Sequence, residues 1–241
     1  MVLIGIDDTD NAESQGTNQL AKAMAKAVSS DWKCERIVRH QLLQDPRIPC
    51  TTRNGSASIL LSPRNTTVPR DDQILTLTHY CREVMKKSFV DGSDPGFCVA
   101  QAAQITEQVI QFGYRCQFEI VKKADAIALA DEVGIHLEGL GGTNGGMIGA
   151  LAAVGLGASG NDGRVVQIAE FEDFTGTLTV SQINSLGVLV QPIDDDQPIS
   201  TGTVTLDKKL RPSIRDHKII LFVQKNSVGT VEPDYQALRF Q

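Results

Sequence analysis

The chain predicts a mixed fold, α/β or α+β, on three observations. Strand-like apolar runs and helical stripes follow one another through its first part without a clean βαβ period. After Gly163 the texture changes to short β-rich runs. Between them, eight of the 21 glycines fall in the stretch Gly139–Gly157, where a glycine loop enters a small-residue helix.

Val2–Ile6 is a continuous apolar run ending in acids, which reads as a buried strand with carboxylates at its C-terminal end. A polar loop, Asn11–Gly16, follows, and Leu20, Met24, Ala27 and Val28 then recur at helical spacing behind Thr17. Arg36–Leu43 and Ala57–Leu61 read as strands around a loop whose two prolines, Pro46 and Pro49, exclude regular structure. Asp71 and Asp72 open a helix with Ile74, Leu77, Cys81 and Val84 on one stripe. A turn-rich loop, Gly92–Gly96, leads to a helical segment around Ala102–Phe112. Cys116–Val121 predicts a strand and Ala124–Val133 a helix. Past the glycine loop, Val165–Ala169, Gly187–Val190, Thr203–Leu206 and Lys218–Val223 predict strands, with a domain boundary near residue 165.

Composition narrows the function classes. With 41% hydrophobic and 22% charged residues over 241 positions, the chain can bury one large core or two modest ones. The longest apolar runs fall far short of the ~20 residues a bilayer span needs. No export signal is visible at Met1–Ile6, so a cytoplasmic protein with no membrane partner is expected. Five widely spaced cysteines form no C-x-x-C pair and read as reduced thiols, and the four histidines lack ligand spacing. A net charge of −6 disfavours a general nucleic-acid surface, though not a local basic groove. Lys208, Lys209, Arg211, Arg215 and Lys218 form a local basic run that reads as a solvated face or as a phosphate-contacting patch.

The chemistry concentrates in Gly5-Ile-Asp-Asp-Thr-Asp10. Asp7, Asp8 and Asp10 repel one another unless a cation sits among them, and hard oxygens on a strand-to-loop turn suit Mg²⁺ together with a nucleotide's phosphates. The plainer reading is an acidic turn. Thr17, ten residues after Asp7, either receives or relays a phosphoryl group or caps the helix it opens. Arg47 and Arg53, in the proline-stiffened loop, either clamp phosphate oxygens or decorate a surface loop. Gly141, Thr143, Asn144, Gly145 and Gly146 are candidates to offer backbone N–H groups to a nucleotide, although the loop is neither a Walker A loop nor a Rossmann fingerprint. Gly149-Ala-Leu-Ala-Ala behind it serves close helix packing. Asp8-Thr-Asp10 also fits the D-x-D of haloacid-dehalogenase-type phosphohydrolases, whose pattern then wants Thr or Val where this chain has Ala12.

Taken together, Gly5–Asp10, Thr17, Ile48-Pro-Cys-Thr-Thr-Arg53 and Gly146-Met-Ile-Gly-Ala-Leu-Ala-Ala153 resemble the archaeal isoleucine-tRNA agmatidine synthetases. The resemblance runs from residue 1 to about 170 and more weakly beyond. It implies an α+β protein: a kinase-like α/β catalytic domain with a ferredoxin-like companion. It also implies an enzyme that uses ATP to activate a tRNA cytidine and then attaches agmatine. Residue by residue, Asp7, Asp8 and Asp10 fall on that family's metal–ATP acids, and Thr17 on the threonine its kinase domain phosphorylates on itself. Two departures bear on substrate. The family's OB-fold and zinc ribbon, which grip tRNA, are not found here, and its Cys-Thr-Thr reads Gly16-Thr17-Asn18.

The expectation is therefore a catalytic region over 1–165, interleaving with its companion or not, and a β-rich companion over 166–241. The function expected is Mg²⁺-dependent ATP use with phosphoryl transfer to an acceptor. The acceptor is unidentified: a small molecule, or tRNA, which the missing modules put in question. Alternatives are the phosphohydrolase and a non-catalytic nucleotide sensor or subunit of a split synthetase. A homo-oligomer is left open.

Overall fold

The protein is described by a computed structural model over residues 1–10, 16–48, 50, 53–65, 70–88, 90, 92–168, 174–226 and 233–239. The fold is α+β. Its first strand, β1 (Val2–Asp7), is buried at every position and lies between two antiparallel neighbours. Burial on both faces is what the unbroken apolar run of β1 requires, because alternate side chains of a strand point to opposite faces. Val2, Ile4 and Ile6 face one way, Leu3, Gly5 and Asp7 the other.

The neighbours of β1 extend into an antiparallel array. β2 (Trp32–Gln41) pairs with β3 (Gly55–Pro63), β3 with β1, β1 with β4 (Gly96–Gln101) and β4 with β5 (His136–Gly139). Helices α1 (Thr17–Ala27) and α2 (Arg70–Ser88) cover one face, where Leu20, Met24, Leu77 and Met85 meet Ile4, Ile6 and Ile59. Helices α3 (Glu107–Phe118), α4 (Lys123–Val133) and α5 (Met147–Ser159) cover the other. Helix α5 is apolar all round because it is enclosed on both sides, by β1, β3 and β4 beneath and α3 and α4 above. Its backbone lies directly on the sheet: a Cβ added at Gly5 would stand 1.9 Å from the Ala150 carbonyl oxygen.

The sheet continues past β2 through β6 (Arg164–Ile168) into β10 (Ser213–Arg215), β11 (Lys218–Lys225) and β12 (Tyr235–Ala237). It ends with β9 (Thr203–Leu206) and β7 (Gly176–Thr179), while β8 (Val188–Pro192) pairs in parallel with β11. Short helix α6 (Val180–Ser185) closes a separate apolar cluster built from Val180, Ile183, Val190, Val204, Leu221 and Val223. No described helix is long and apolar enough to cross a membrane.

Several sequence expectations need correction. Cys116–Val121 is not a strand: α3 runs through Phe118 and the chain then turns away without pairing. The deciding pattern is Val109, Phe112, Gly113 and Cys116, buried at helical spacing, whereas Phe118 and Ile120 are exposed. The helix expected around Ala102–Phe112 begins as a 3₁₀ turn at Ala102–Gln104 and becomes α-helical at Glu107. Strands β4, β5, β7, β10 and β12 and helix α6 were not anticipated, each being only three to six residues long. The Asn11–Gly16 loop reaches the described residues only at Gly16, and Ala169 lies outside them.

Candidate active site

The end of β1 opens into a cleft of about 1180 Å³. Asp7, Asp8, Asp10, Thr17, Arg47, Arg53, Thr143, Gly145 and Gly146 all line it. Residues remote in sequence are thus brought to one place.

Asp7 is the last residue of β1 and points toward α5, where Gly149 leaves room for it. Burial pushes its carboxyl up to about 7, with Asp8, Asp10 and Asp94 adding repulsion and the Asp8 N–H drawing it back. Asp8 leaves the strand with φ 49, a left-handed conformation that Asp tolerates better than bulkier residues. Burial raises its pKa too, helped by Asp94 and Asp10. Asp10 is held differently: the Thr17 hydroxyl donates to Asp10 Oδ1 at 3.0 Å, and the Thr9 hydroxyl donates to Thr17 Oγ1 at 3.2 Å. The helix-cap reading of Thr17 gives way here. Gly16 occupies the N-cap position without a side-chain cap, and Thr17 is the first helical residue with its hydroxyl turned to Asp10.

The opposite wall comes from the glycine loop. Asp94, just before β4, reaches into it: the Gly146 N–H donates to the Asp94 carbonyl at 3.1 Å, and the Thr143 hydroxyl donates to Asp94 Oδ2. Asp94 Oδ1 is buried without a hydrogen-bond partner. The Asp94 N–H in turn donates to the Asp8 carbonyl at 3.2 Å, so the loop and the acidic turn are laced together. Gly146 has no space for a side chain, since a Cβ there would stand 2.2 Å from the Asp94 carbonyl oxygen. Gly141 and Asn144 do not line the cleft. Asn144, with φ 60, donates its N–H to the Gly141 carbonyl at 3.2 Å and so shapes the turn that presents Gly145. The N–H groups of Asn144, Gly146, Met147 and Ile148 already meet protein carbonyls. An anion here would draw on the N-terminus of α5 as a whole more than on a ring of open amides, the Thr143 proton being given to Asp94.

A basic side completes the cleft, with Arg39, Arg47, Arg53, Arg164 and Arg239 on its walls. Arg47 is exposed and engaged: Nε and Nη2 each donate to the Asp45 carboxylate at 2.8 Å. Residues 49, 51 and 52 of the run that ends in Arg53 lie outside the described residues. Of the local basic run, Lys208, Lys209, Arg215 and Lys218 are exposed. Arg211 is half-buried and acts electrostatically on Arg164.

Among the described residues no three or more His, Cys, Asp or Glu side chains converge as a metal shell would. Mg²⁺ asks for less, commonly one or two carboxylates beside a substrate's phosphates. The hard-oxygen donors Asp8 and Asp10, on a cleft that Asp94 also lines, fit that requirement.

Sequence reasoning missed Asp94, Arg39, Arg164 and Arg239. An acid set among turn residues in Gly92-Ser-Asp-Pro-Gly96 was a usable signal for the first. Isolated arginines, Arg39 and Arg164 on strands and Arg239 just after one, gave none for the others. Nor did the sequence show the buried network behind the cleft, where His40 Nδ1 lies 2.6 Å from Asp162 Oδ2 and Nε2 lies 2.8 Å from Ser58 Oγ. Burial would raise the Asp162 carboxyl, but the His40 and Gln117 hydrogen bonds and Arg215 outweigh it and hold it low. With His40 and Ser58 fully enclosed, the trio ties β2 and β3 to the turn after α5. All five cysteines are free thiols, only Cys50 being exposed.

No family model matches the chain. It is 30% identical over 159 residues to the tRNA 2-agmatinylcytidine synthetase TiaS of Thermococcus sibiricus, covering 63% of this chain and 34% of that protein. It is 30% identical over 174 residues to TiaS of Haloquadratum walsbyi, covering 70% of this chain and 36% of that one. Among solved structures, a complex of TiaS with its tRNA and ATP matches with a TM-score of 0.54 at 24% identity, over 74% of this chain and 38% of that one. The fold is shared to that extent. The chain spans about a third of the length of the curated relatives it matches.

Proposed function

We propose that this chain, TiaS-like over the portion it shares with those synthetases, is an ATP-using enzyme whose cleft transfers a phosphoryl group to an acceptor. The observation that carries the reading is convergence. Asp7, Asp8, Asp10 and Thr17 from one end of the chain meet the glycine loop before α5 on a single cleft. Residues 1–165 supply that machinery and 166–241 the companion, a division supported by the separate apolar cluster of the second part.

Asp8 and Asp10 would hold Mg²⁺ with the nucleotide, and Asp94 lines the same cleft. Bound there, the ion neutralises phosphate charge and orients the group to be transferred. The protein's own part is positioning. The α5 N-terminus and Arg53 fix phosphate oxygens, with Arg47 and Thr143 available once they leave Asp45 and Asp94. Asp10 orients the Thr17 hydroxyl, which is placed to receive or relay the phosphoryl group. The proton such a step releases would pass to Asp10, whose Oδ1 already accepts the Thr17 hydrogen bond. The tRNA and agmatine of the relatives' names belong, for this chain, to the same proposal: either an RNA or a small molecule fits a cleft of this size.

The test is incubation with ATP and Mg²⁺, comparing wild type with Asp8→Asn and Thr17→Ala, separating AMP, ADP and phosphate and mapping any phosphorylated residue. Mg²⁺-dependent turnover lost in Asp8→Asn is the expected result, and phosphate on Thr17 would extend it. A hydroxylamine-labile phosphate on Asp8 without a nucleotide requirement would replace the reading with a phosphohydrolase. ATP bound but never turned over, with tRNA present, would leave a sensor.

A further inference from the structure

Antiparallel register sets Arg39 of β2 directly opposite Arg164 of β6. Like charges facing each other across strands are destabilising, and a protein keeps such a pair where something compensates it. Arg239 follows β12 and reaches the same cleft from the second half of the chain. Arg164 stands at the centre of the group. Burial lowers its pKa, and Arg39, Arg211, Arg239 and Arg53 each lower it further. Its Nε is buried without a hydrogen-bond partner. A buried guanidinium N–H left unmade is costly, and an incoming anion recovers that cost. Arg39 and Arg239 donate to neutral acceptors, Gln41 Oε1 and the Lys209 carbonyl, which an anion can outbid.

The cleft also exceeds what one nucleotide fills. Single small-molecule sites run to roughly 300–1,000 Å³, and this one reaches about 1180 Å³. Its lining carries both signs, the acids of the β1 turn and five arginines, with Asp10 acting electrostatically on Arg39. The acids suit a metal-neutralised triphosphate, and the arginines suit a ligand that brings its own negative charge.

We propose that Arg39, Arg164 and Arg239 form a second anion site in this cleft, one that holds a phosphate ester on the acceptor. Naming that ester the acceptor rests on the ATP reading above; the anion site itself does not. The arrangement selects against a free cationic amine, since a dication placed there meets arginines. The phosphate ester comes either from a small monoester or from the backbone of an RNA, and both present the same oxygens to guanidinium groups.

Calorimetric titration of the full chain, with and without saturating Mg²⁺–ATP, distinguishes these outcomes. The probes are CMP as monoester, CpA as diester, cytidine without phosphate, and agmatine as cation. CMP or CpA should bind at least tenfold tighter than cytidine, with affinity falling as salt rises. Arg164→Gln and Arg239→Gln should each weaken the better phosphate probe about 10- to 100-fold, leaving ATP affinity within twofold. Arg239 is exposed near the end of the described chain, so its variant tests the site should Arg164→Gln unfold. CMP ahead of CpA assigns the monoester, and the reverse order assigns an RNA backbone. Equal binding of cytidine and CMP, or agmatine ahead of both phosphate probes, overturns the proposal. So does parallel loss of ATP and CMP in Arg164→Gln, which would place the arginines in the nucleotide site. A protein that binds CMP in this pattern but no ATP would retain the anion site and refute the ATP reading alone.

Discussion

A methyl group added at Gly149 would stand 1.8 Å from Asp7 Oδ2. The buried carboxylate and the start of α5 therefore occupy one packed unit, and the helix needs glycine at that position. Gly149→Ala should cost about 1–3 kcal/mol by overpacking and should weaken ATP binding at least tenfold by displacing Asp7. Thermal melting with nucleotide titration checks both. An ATP affinity unchanged in a stably folded variant would show that Asp7 has no part in the site.

Stability of the ligand-free protein should fall as pH rises from about 4 to about 7. Asp7 has its pKa raised by burial to about 7 in the folded chain, against 3.8 for the ordinary side chain. Across that window the folded state holds a proton that the unfolded state has released, so each step up in pH favours unfolding. The contribution is complete below pH 4 and gone above pH 7. Asp8 shifts in the same direction and adds to it. Asp7→Asn should flatten the profile, removing a dependence on the order of a few kcal/mol, measured by denaturant midpoints across the range.

Thr17→Val keeps the side chain's shape and removes its hydroxyl. Asp10 Oδ1 then loses its 3.0 Å donor and Thr9 its 3.2 Å acceptor. A stability loss of about 1–2 kcal/mol should accompany at least tenfold slower ATP turnover. Thr17→Ser should recover most of both. Recovery of stability without turnover would limit Thr17 to holding the acidic turn.

His40→Phe should destabilise by about 2–4 kcal/mol, because it leaves the mostly buried Asp162 with its Gln117 hydrogen bond and the Arg215 charge but no His40, and Ser58 without its ring nitrogen. ATP affinity should stay within a few-fold, since the network lies behind the cleft rather than on its wall. A selective loss of turnover in a folded variant would instead make this trio part of the chemistry.

Much of this site was legible because its signals are local. The apolar run of β1 ending in acids, the helix that Thr17 opens and the small residues of α5 are each written within a dozen positions. The α3 misreading has an equally local cause. Cys116, Phe118 and Ile120 alternate as a strand would, yet only Cys116 is buried, because α3 packs through Val109, Phe112 and Gly113 against α5. Asp94 stayed hidden because β4 was not foreseen, so nothing placed its preceding turn beside β1. The arginine pair could not be read at all. It depends on register between two strands more than a hundred residues apart, which the sheet as a whole sets.

Between β6 and β10 the sheet is carried by a single register pair, Arg164 opposite Ser213, flanked by the Val165 N–H to Pro212 carbonyl bond at 2.8 Å and the Ile214 N–H to Gly163 carbonyl bond at 3.1 Å. Arg39 and Arg53 stand on one side of this narrow seam, Arg211 and Arg239 on the other. An anion gripped from both sides works as a cross-brace, adding to the small apolar cluster of Val38, Val165 and Ile214 that already spans the seam. Ligand affinity then becomes cohesion between the halves of the molecule, and substrate occupancy should be readable far from the cleft, in how cooperatively the two cores melt.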